Sequence, residues 1–508
     1  MRDRLSQLPF FVVLMGLSAI SMIVPSAFGL YLEDFTAMRV FFYGFILFGF
    51  LTVVLGIATR NTVPRNQALS QLLTLVAAYA LLPIMLAIPF YETVENTTLL
   101  AAWFEMVSSF TTTGATLYEG ATILTPALHL WRALVGWMGG LLIWVAAFAI
   151  FAPMNLGGFE VRSIFDARRG LATGAANLGH FKGDKTPRLT RFFLLLAPIY
   201  AFLTGCLWVG LMLLGEYPYV ALCHAMSVLA TSGITPVNGL YFSASGFFGE
   251  LLVFCFFLFA LTRLSFSRGI TGEQEGTWAQ DPELRMAAGL IAVSTAFLFL
   301  RHFVSEIENP AAVTVLETMQ ALWGALFTVT SFLTTTGFES ADWETATNWS
   351  RLDTPGLLLL GLALIGGGVA TTAGGVKLLR VYALYRHGER ELERLVHPSS
   401  IGGGGKIARG IRRNGAYISW IFFMMVAMSI AVVMVLLSLT GVAFADAMVL
   451  AVSALSTTGP LATIAAESPI SYASIPDLAK VILAASMVLG RLETLAIIAL
   501  FNPEFWRK

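Results

Sequence analysis

Four short phrases of small hydroxyl residues closing on glycine interrupt an otherwise oily chain: Thr111-Thr112-Thr113-Gly114, Thr231-Ser232-Gly233, Thr334-Thr335-Thr336-Gly337 and Ser456-Thr457-Thr458-Gly459. Rings of backbone carbonyl oxygens can replace the hydration shell of a dehydrated cation, and Thr or Ser adds hydroxyl oxygens to the set. Glycine permits backbone angles and close approaches that a side chain forbids. One such phrase alone would be a helix cap or an ordinary turn. Four of them, roughly 110 residues apart, ask for a single explanation, an internally duplicated unit. The chemistry they allow together is cation coordination by four backbone loops. The candidate ligand set is Thr112, Thr113 and Gly114; Thr231, Ser232 and Gly233; Thr335, Thr336 and Gly337; and Thr457, Thr458 and Gly459.

Other chemistries find no footing. The six histidines (129, 180, 224, 302, 387 and 397) make no ligand pair at helical spacing, and Cys206, Cys223 and Cys255 read as small apolar fillers. No Ser/His/Asp set or carboxylate pair shares a depth in the chain, so an enzyme is not expected and no resident cofactor is called for. Gly402-Gly403-Gly404-Gly405-Lys406 departs from a phosphate loop, because Ile407 stands where Ser or Thr would bind magnesium. It reads as a linker.

The elements that must position the four phrases are membrane helices. The chain has 508 residues, 57% of them hydrophobic and 12% charged. A soluble chain would carry about twice that charge fraction. The predicted fold is an all-α polytopic membrane protein. Spans are expected at 9–31, 38–58, 68–91, 127–152, 192–214, 246–264, 285–304, 355–383, 416–440 and 477–500. Short apolar half-helices precede the glycine phrases at Leu99–Phe110, Tyr219–Leu229, Ala311–Phe332 and Phe444–Leu455. The unit of span, half-helix, Thr/Ser-Gly loop and span therefore occurs four times. It divides the chain into two N-terminal spans (1–60) and four modules: 61–160, 161–270, 271–395 and 396–508.

Charge position tests this arrangement independently. With the N-terminus in the cytoplasm, the inner pieces carry most of the Lys and Arg, notably Arg162, Arg168, Arg169, Lys182, Lys185, Arg188 and Arg191. The outer pieces hold Arg351 and many acids, among them Glu92, Glu95, Glu119, Glu216, Glu306, Glu308, Glu339, Asp342 and Glu344. That is the positive-inside pattern, and it puts all four glycine loops on the outer face and both termini in the cytoplasm. Formal net charge is zero, so nothing draws the chain to nucleic acid.

Two further features belong at membrane depth. Gly366, Gly367, Gly368, Gly374 and Gly375 interrupt the last helix of the third module. Such a break must line a cavity or form a small-residue packing patch. Lys377 and Arg380, just after it, read as interface anchors. Arg491 stands in mid-span, where a charge must face a pore, pair with a partner such as Glu493, or snorkel to the interface.

The chain resembles the superfamily of potassium transporters that holds the bacterial Trk and Ktr membrane subunits and the related fungal and plant (HKT) proteins. The residues that carry the resemblance are Ser109-Phe110-Thr111-Thr112-Thr113-Gly114-Ala115-Thr116, Thr334-Thr335-Thr336-Gly337-Phe338, Gly366-Gly367-Gly368-Val369-Ala370-Thr371-Thr372-Ala373-Gly374-Gly375-Val376-Lys377 and Leu489-Gly490-Arg491-Leu492-Glu493. The two extra N-terminal spans favour the Trk branch. The resemblance implies four modules around one pore, with filter glycines Gly114, Gly233, Gly337 and Gly459 and potassium as substrate. It implies a gate made of Gly366–Gly375 as an intramembrane loop beneath the filter, with Arg491 facing the path as an electrostatic barrier. It also implies a homodimer in a bacterial inner (cytoplasmic) membrane, regulated by a ring of cytoplasmic nucleotide-binding subunits. Two loops depart from the family pattern. The second reads Thr-Ser-Gly-Ile where Thr-Gly-Gly-Phe is commoner, and the fourth reads Ser-Thr-Thr-Gly-Pro where Ser-Asn-x-Gly-Pro is usual. Proton co-transport stays open, as does the alternative of a sodium-permeable transporter or a secondary transporter of another small solute.

Overall fold

A computed structural model describes residues 9–59, 67–154 (save 119, 121 and 122), 156, 158–159, 188–262 (save 238), 281–306, 314–397 (save 353) and 406–493 (save 467). Their regular structure is entirely helical. The basic stretch Arg162–Lys185, Glu119, Glu308, Gly402–Gly405 and Arg507-Lys508 lie outside the described residues.

Two helices, α1 (Phe10–Tyr31) and α2 (Phe35–Thr59), form an N-terminal hairpin. Asp34 sets its turn by accepting from the Ala37 N–H at 3.0 Å, satisfying a donor that the helix start leaves free. Outward-facing Ile46, Leu47, Phe50 and Ile57 suit lipid rather than water.

The repeating unit then follows. Module 1 is α3 (Gln67–Thr93), α4 (Leu99–Phe110) and α5 (Pro126–Met154). Module 2 is α6 (Arg188–Leu213), α7 (Pro218–Ala230) and α8 (Gly246–Leu261). Module 3 is α9 (Pro282–Glu306), α10 (Val315–Leu333), a small α11 (Trp343–Ser350), α12 (Gly356–Ile365) and α13 (Leu378–Val396). Module 4 is α14 (Lys406–Leu439), α15 (Phe444–Ser456) and α16 (Asp477–Leu492). The half-helices start where local chemistry says they should. Thr98 caps α4 through the Ala101 N–H, Thr314 and Glu317 make a reciprocal capping box on α10, and Pro218 opens α7.

The deepest element is α5. Gly139 lets the Phe110 carbonyl at the end of α4 lie directly on it, and Gly140 does the same for Ala230 at the end of α7. Small residues at a helix interface permit such approach, and here they seat two half-helix ends against one span.

The structure departs from the expected spans in an instructive way. Among the described residues, seven helices are long and apolar enough to cross a membrane. The expected break in 355–383 is present, and the closing helices of modules 2 and 4 leave helical geometry within the predicted 246–264 and 477–500, of which 263–264 and 494–500 lie outside the described residues. Helix α8 ends at Leu261, α12 is cut at Gly366, and α16 ends at Leu492 with Glu493 in the left-handed region (φ 59°). After the break the chain continues as helix to Val396 in α13, and α14 begins at Lys406. Glu, Arg and Leu at 389–396 are strong helix formers, and Arg386 pairs with Glu389 one turn on.

Candidate functional site

Each half-helix ends in the same turn. The residue two before the glycine is Thr in all four loops and is left-handed every time: Thr112 (φ 56°), Thr231 (52°), Thr335 (55°) and Thr457 (56°). A β-branched residue held there stores about 1–3 kcal/mol of strain, so the surroundings must over-determine it. They do. The N–H of the residue before each glycine donates to the carbonyl of a serine six residues before that glycine. The pairs are Thr113 to Ser108 (2.8 Å), Ser232 to Ser227 (3.0 Å), Thr336 to Ser331 (2.9 Å) and Thr458 to Ser453 (2.9 Å). The serines repeat as faithfully as the glycines. That register is visible in the sequence, and the motif reading passed over it.

The four loops close a ring. A methyl group placed on Gly114 would overlap the Ser232 carbonyl, one on Gly233 the Thr336 carbonyl, one on Gly337 Pro460, and one on Gly459 the Ala115 backbone nitrogen. Each glycine thus abuts the next loop in chain order, and the fourth returns to the first. The second loop, despite Ser232 and Ile234, keeps the geometry of its neighbours: Gly114, Gly233 and Gly337 have φ of 76°, 64° and 80°. The fourth departs. Gly459 is not left-handed; its N–H donates to the Thr113 carbonyl at 2.6 Å, and its own carbonyl accepts from Tyr472 at 2.9 Å. Among the described residues, Thr112 Oγ1 and Thr457 Oγ1 are buried without a hydrogen-bond partner.

The glycine-rich break lies against this ring. The chain leaves α12 and returns to α13 along itself, with Val376 N–H to the Leu364 carbonyl, Lys377 N–H to Ile365 and Leu378 N–H to Gly367, at 2.9–3.0 Å. Between these ends, the Gly374 N–H donates to Thr335 Oγ1 at 2.7 Å, and Gly374 packs on the Ser456 carbonyl and Thr457 Oγ1. Thr372 Oγ1 donates to the Leu229 carbonyl (3.0 Å), Gly368 N–H to the Ala260 carbonyl (2.9 Å) and Val369 N–H to Glu283 Oε1 (2.9 Å). Arg491 Nη1 donates to the Thr372 carbonyl at 2.6 Å, and Lys377 Nζ to the Ala373 carbonyl. Gly366 and Gly375 face each other so closely that neither has room for a Cβ. A cavity beside the loop is lined by Ala370, Thr371, Gly374, Lys377, Arg491 and Glu493.

Two expectations are corrected here. Lys377 and Arg380 are buried and are not interface anchors. Arg380 pairs with Glu493 Oε2 at 2.8 Å, donates to the Val376 carbonyl and lies 3.6 Å over the Phe422 ring. Glu493 therefore belongs to Arg380, while Arg491 reaches the loop backbone instead.

The chain after Gly337 carries Glu339 and Asp342 in the loop before α11. Burial pushes the Glu339 carboxyl up to about 7, and it raises that of Asp342 against a hydrogen bond with Gln320. Sequence reasoning also missed the buried acids that hold the loops from behind. Glu250 accepts from Trp323 (2.8 Å), Ser340 (2.7 Å) and the Ala341 N–H (2.6 Å). Glu105 stands 2.6 Å from Arg132 and accepts from the Leu117 N–H. Their signal was present as ionisable residues inside apolar helices.

Long apolar helices, paired with half-helices whose ends converge on one closed ring, define a polytopic helical membrane transporter rather than an enzyme. A family model described as the cation transport protein TrkH matches residues 281–508. The Trk system potassium uptake protein TrkH of Halomonas elongata is 33% identical over 421 residues, covering 80% of this chain and 79% of that one. The Trk system potassium uptake protein TrkG of Escherichia coli is 26% identical over 511 residues, covering 97% of each. The crystal structure of the potassium transporter TrkH from Vibrio parahaemolyticus superposes with a TM-score of 0.80 at 26% identity, covering all of both chains. The chain belongs to the TrkH family of cation transport proteins.

Proposed function

We propose that the protein takes potassium ions into the cell through the ring formed by Thr112–Gly114, Thr231–Gly233, Thr335–Gly337 and Thr457–Gly459. The observation that carries this reading is the four-fold recurrence of one strained turn in a closed ring, on a chain whose relatives are named potassium uptake proteins. Loops of this kind offer oxygens at fixed spacing, which is what a dehydrated cation needs. The driving force is the membrane potential, about 2.3 kcal/mol per charge per 100 mV. The segment Gly366–Gly375 serves as the gate and Arg491 as its electrostatic barrier. Their contacts with Thr335, Ser456 and Thr457 on one side and Thr372 on the other support that role. The four modules divide at the boundaries given above, with both termini in the cytoplasm of a bacterial inner membrane. The membrane part is a homodimer, and cytoplasmic nucleotide-binding subunits dock on its basic loops to set the gate.

The test is cation flux into liposomes, comparing potassium, rubidium and sodium with and without an imposed proton gradient. Potassium and rubidium are expected to pass and sodium to be disfavoured. Gly114→Ser should lower the potassium-to-sodium ratio. An unchanged ratio would remove the ring from the transport path, and a flux that follows the proton gradient at fixed voltage would add a coupled proton.

A further inference from the structure

The ring's turns are made locally, but the chain leaving each glycine must also be held outward, or the ring would close on itself. The structure supplies a strut for this at one recurring position. Nine residues before the first three glycines stand Glu105, His224 and Thr328, all in half-helices and all polar. Each reaches the chain two or three residues beyond its own glycine. Glu105 Oε2 accepts from the Leu117 N–H at 3.1 Å, His224 Nε2 lies 3.0 Å from Thr235 Oγ1, and Thr328 Oγ1 accepts from the Ser340 N–H at 3.3 Å. In the fourth module the equivalent position is Leu450, and Tyr472 holds the Gly459 carbonyl instead. Only the first strut is ionic. Glu105 is fully buried, and its other oxygen faces Arg132 of α5, also buried, at 2.6 Å. A buried ion pair is poor value as a stabiliser, since apolar residues of similar volume do as well. Its presence in the half-helix of one module, with the second carboxylate oxygen on the outgoing chain, points to a positional task.

We propose that Glu105, through the oxygen it offers the Leu117 N–H, is a positioning residue for ion selection, and that His224 and Thr328 do the same work in modules 2 and 3. This rests on the reading of the ring as the selectivity filter. The strut fixes how far the Leu117 segment stands from α4, and so the width at which the Gly114 loop meets the Ser232 and Gly459 loops. Ion discrimination by carbonyl oxygens depends on the number and field of the oxygens presented, so it is sensitive to that width.

The experiment separates the strut from the charge. Glu105→Gln with Arg132→Met keeps an oxygen for the Leu117 N–H and leaves no unpaired charge. Glu105→Leu with Arg132→Met removes both. Potassium-to-sodium permeability ratios are measured in liposomes at matched amounts of folded protein, alongside wild type and Gly114→Ser. The Gln/Met pair should keep the wild-type ratio, while the Leu/Met pair should lower it by about tenfold, losing oriented oxygens rather than total flux. A Leu/Met ratio equal to wild type overturns the proposal, as does a loss of flux with the ratio unmoved. If the Leu/Met protein does not fold, Thr328→Val decides: it removes only the hydroxyl that accepts the Ser340 N–H, and a ratio unchanged by it overturns the proposal equally. Should wild type itself fail to discriminate, or Gly114→Ser be silent, it is the filter reading that falls and not the strut alone.

Discussion

The glycine ring and the glycine-rich break are both non-helical backbone at membrane depth, and they are held in opposite ways. Each turn of the ring closes within its own module, from the residue before the glycine back to a serine in the preceding half-helix. The break closes its ends on itself, but its centre hangs from other parts of the chain: Leu229, Ala260, Glu283, Thr335 and Arg491. Backbone groups without water must find partners somewhere, and the choice of partner decides what can move. A loop tied to its own helix moves only with that helix. A loop tied to five separate places can be released by changing any of them. The ring is thus built as a fixed part and the break as a releasable one.

Four changes would break or sharpen that contrast. The largest effect is expected in the fixed part. Gly233→Ala would force a methyl onto the Thr336 carbonyl at a residue with φ 64°, and should cost at least about tenfold in the potassium-to-sodium permeability ratio. An unaltered ratio in liposome flux would show that the ring is not the selective element. Next, Arg491→Ala removes both a buried charge and the bond to the Thr372 carbonyl, and should raise flux about fivefold at constant ratio. A shift in ratio instead would mean that the ring and the break are not separable. Glu493→Gln removes the carboxylate charge beside buried Arg380 while Arg491 keeps the loop. Leak should rise only about threefold, with a fall in the melting temperature of the purified protein, because a buried ion pair is weakened away from the loop. The smallest change concerns Glu339. Raised to about 7, it is ionised at pH 8 and mostly neutral at pH 6, so its attraction for cations is lost as pH falls. Uptake at low potassium should drop about twofold across that range. Glu339→Gln should flatten the profile, and a profile that survives the substitution would assign the titration elsewhere.

The same contrast explains what could be read from the sequence. The four phrases were legible because a turn that closes locally must be written out in full each time it recurs. Thr112, Thr231, Thr335 and Thr457, with their following glycines, are copies of one local solution. The serines at 108, 227, 331 and 453 belonged to that solution and could have been found by aligning the four copies on glycine. The break was legible only as a break. Its partners lie between 39 and 143 residues away in the chain, and no periodicity links Glu283 to Val369 or Arg491 to Thr372. For the same reason Lys377 and Arg380 looked like interface residues: a cation beside a glycine run reads as an anchor until the Ala373 carbonyl and Glu493 are placed beside it. Hydropathy alone did not mark the points after Leu261 and Leu492 where the backbone leaves the helix.

Four loops supplied by a single polypeptide need not be equals. The Gly459 N–H takes up the Thr113 carbonyl, so one oxygen of the first loop is engaged sideways, toward its neighbour. A carbonyl already accepting a hydrogen bond is a weaker donor to a metal ion. On the proposed reading of the ring as a filter, its coordination at that level would be softest where the first loop meets the fourth. A pore assembled from four identical subunits could not make such a shell, because any hydrogen bond formed at one seam would form at all of them. Duplication followed by divergence within one chain gives evolution a dial for ligand field strength that can be turned one quarter at a time.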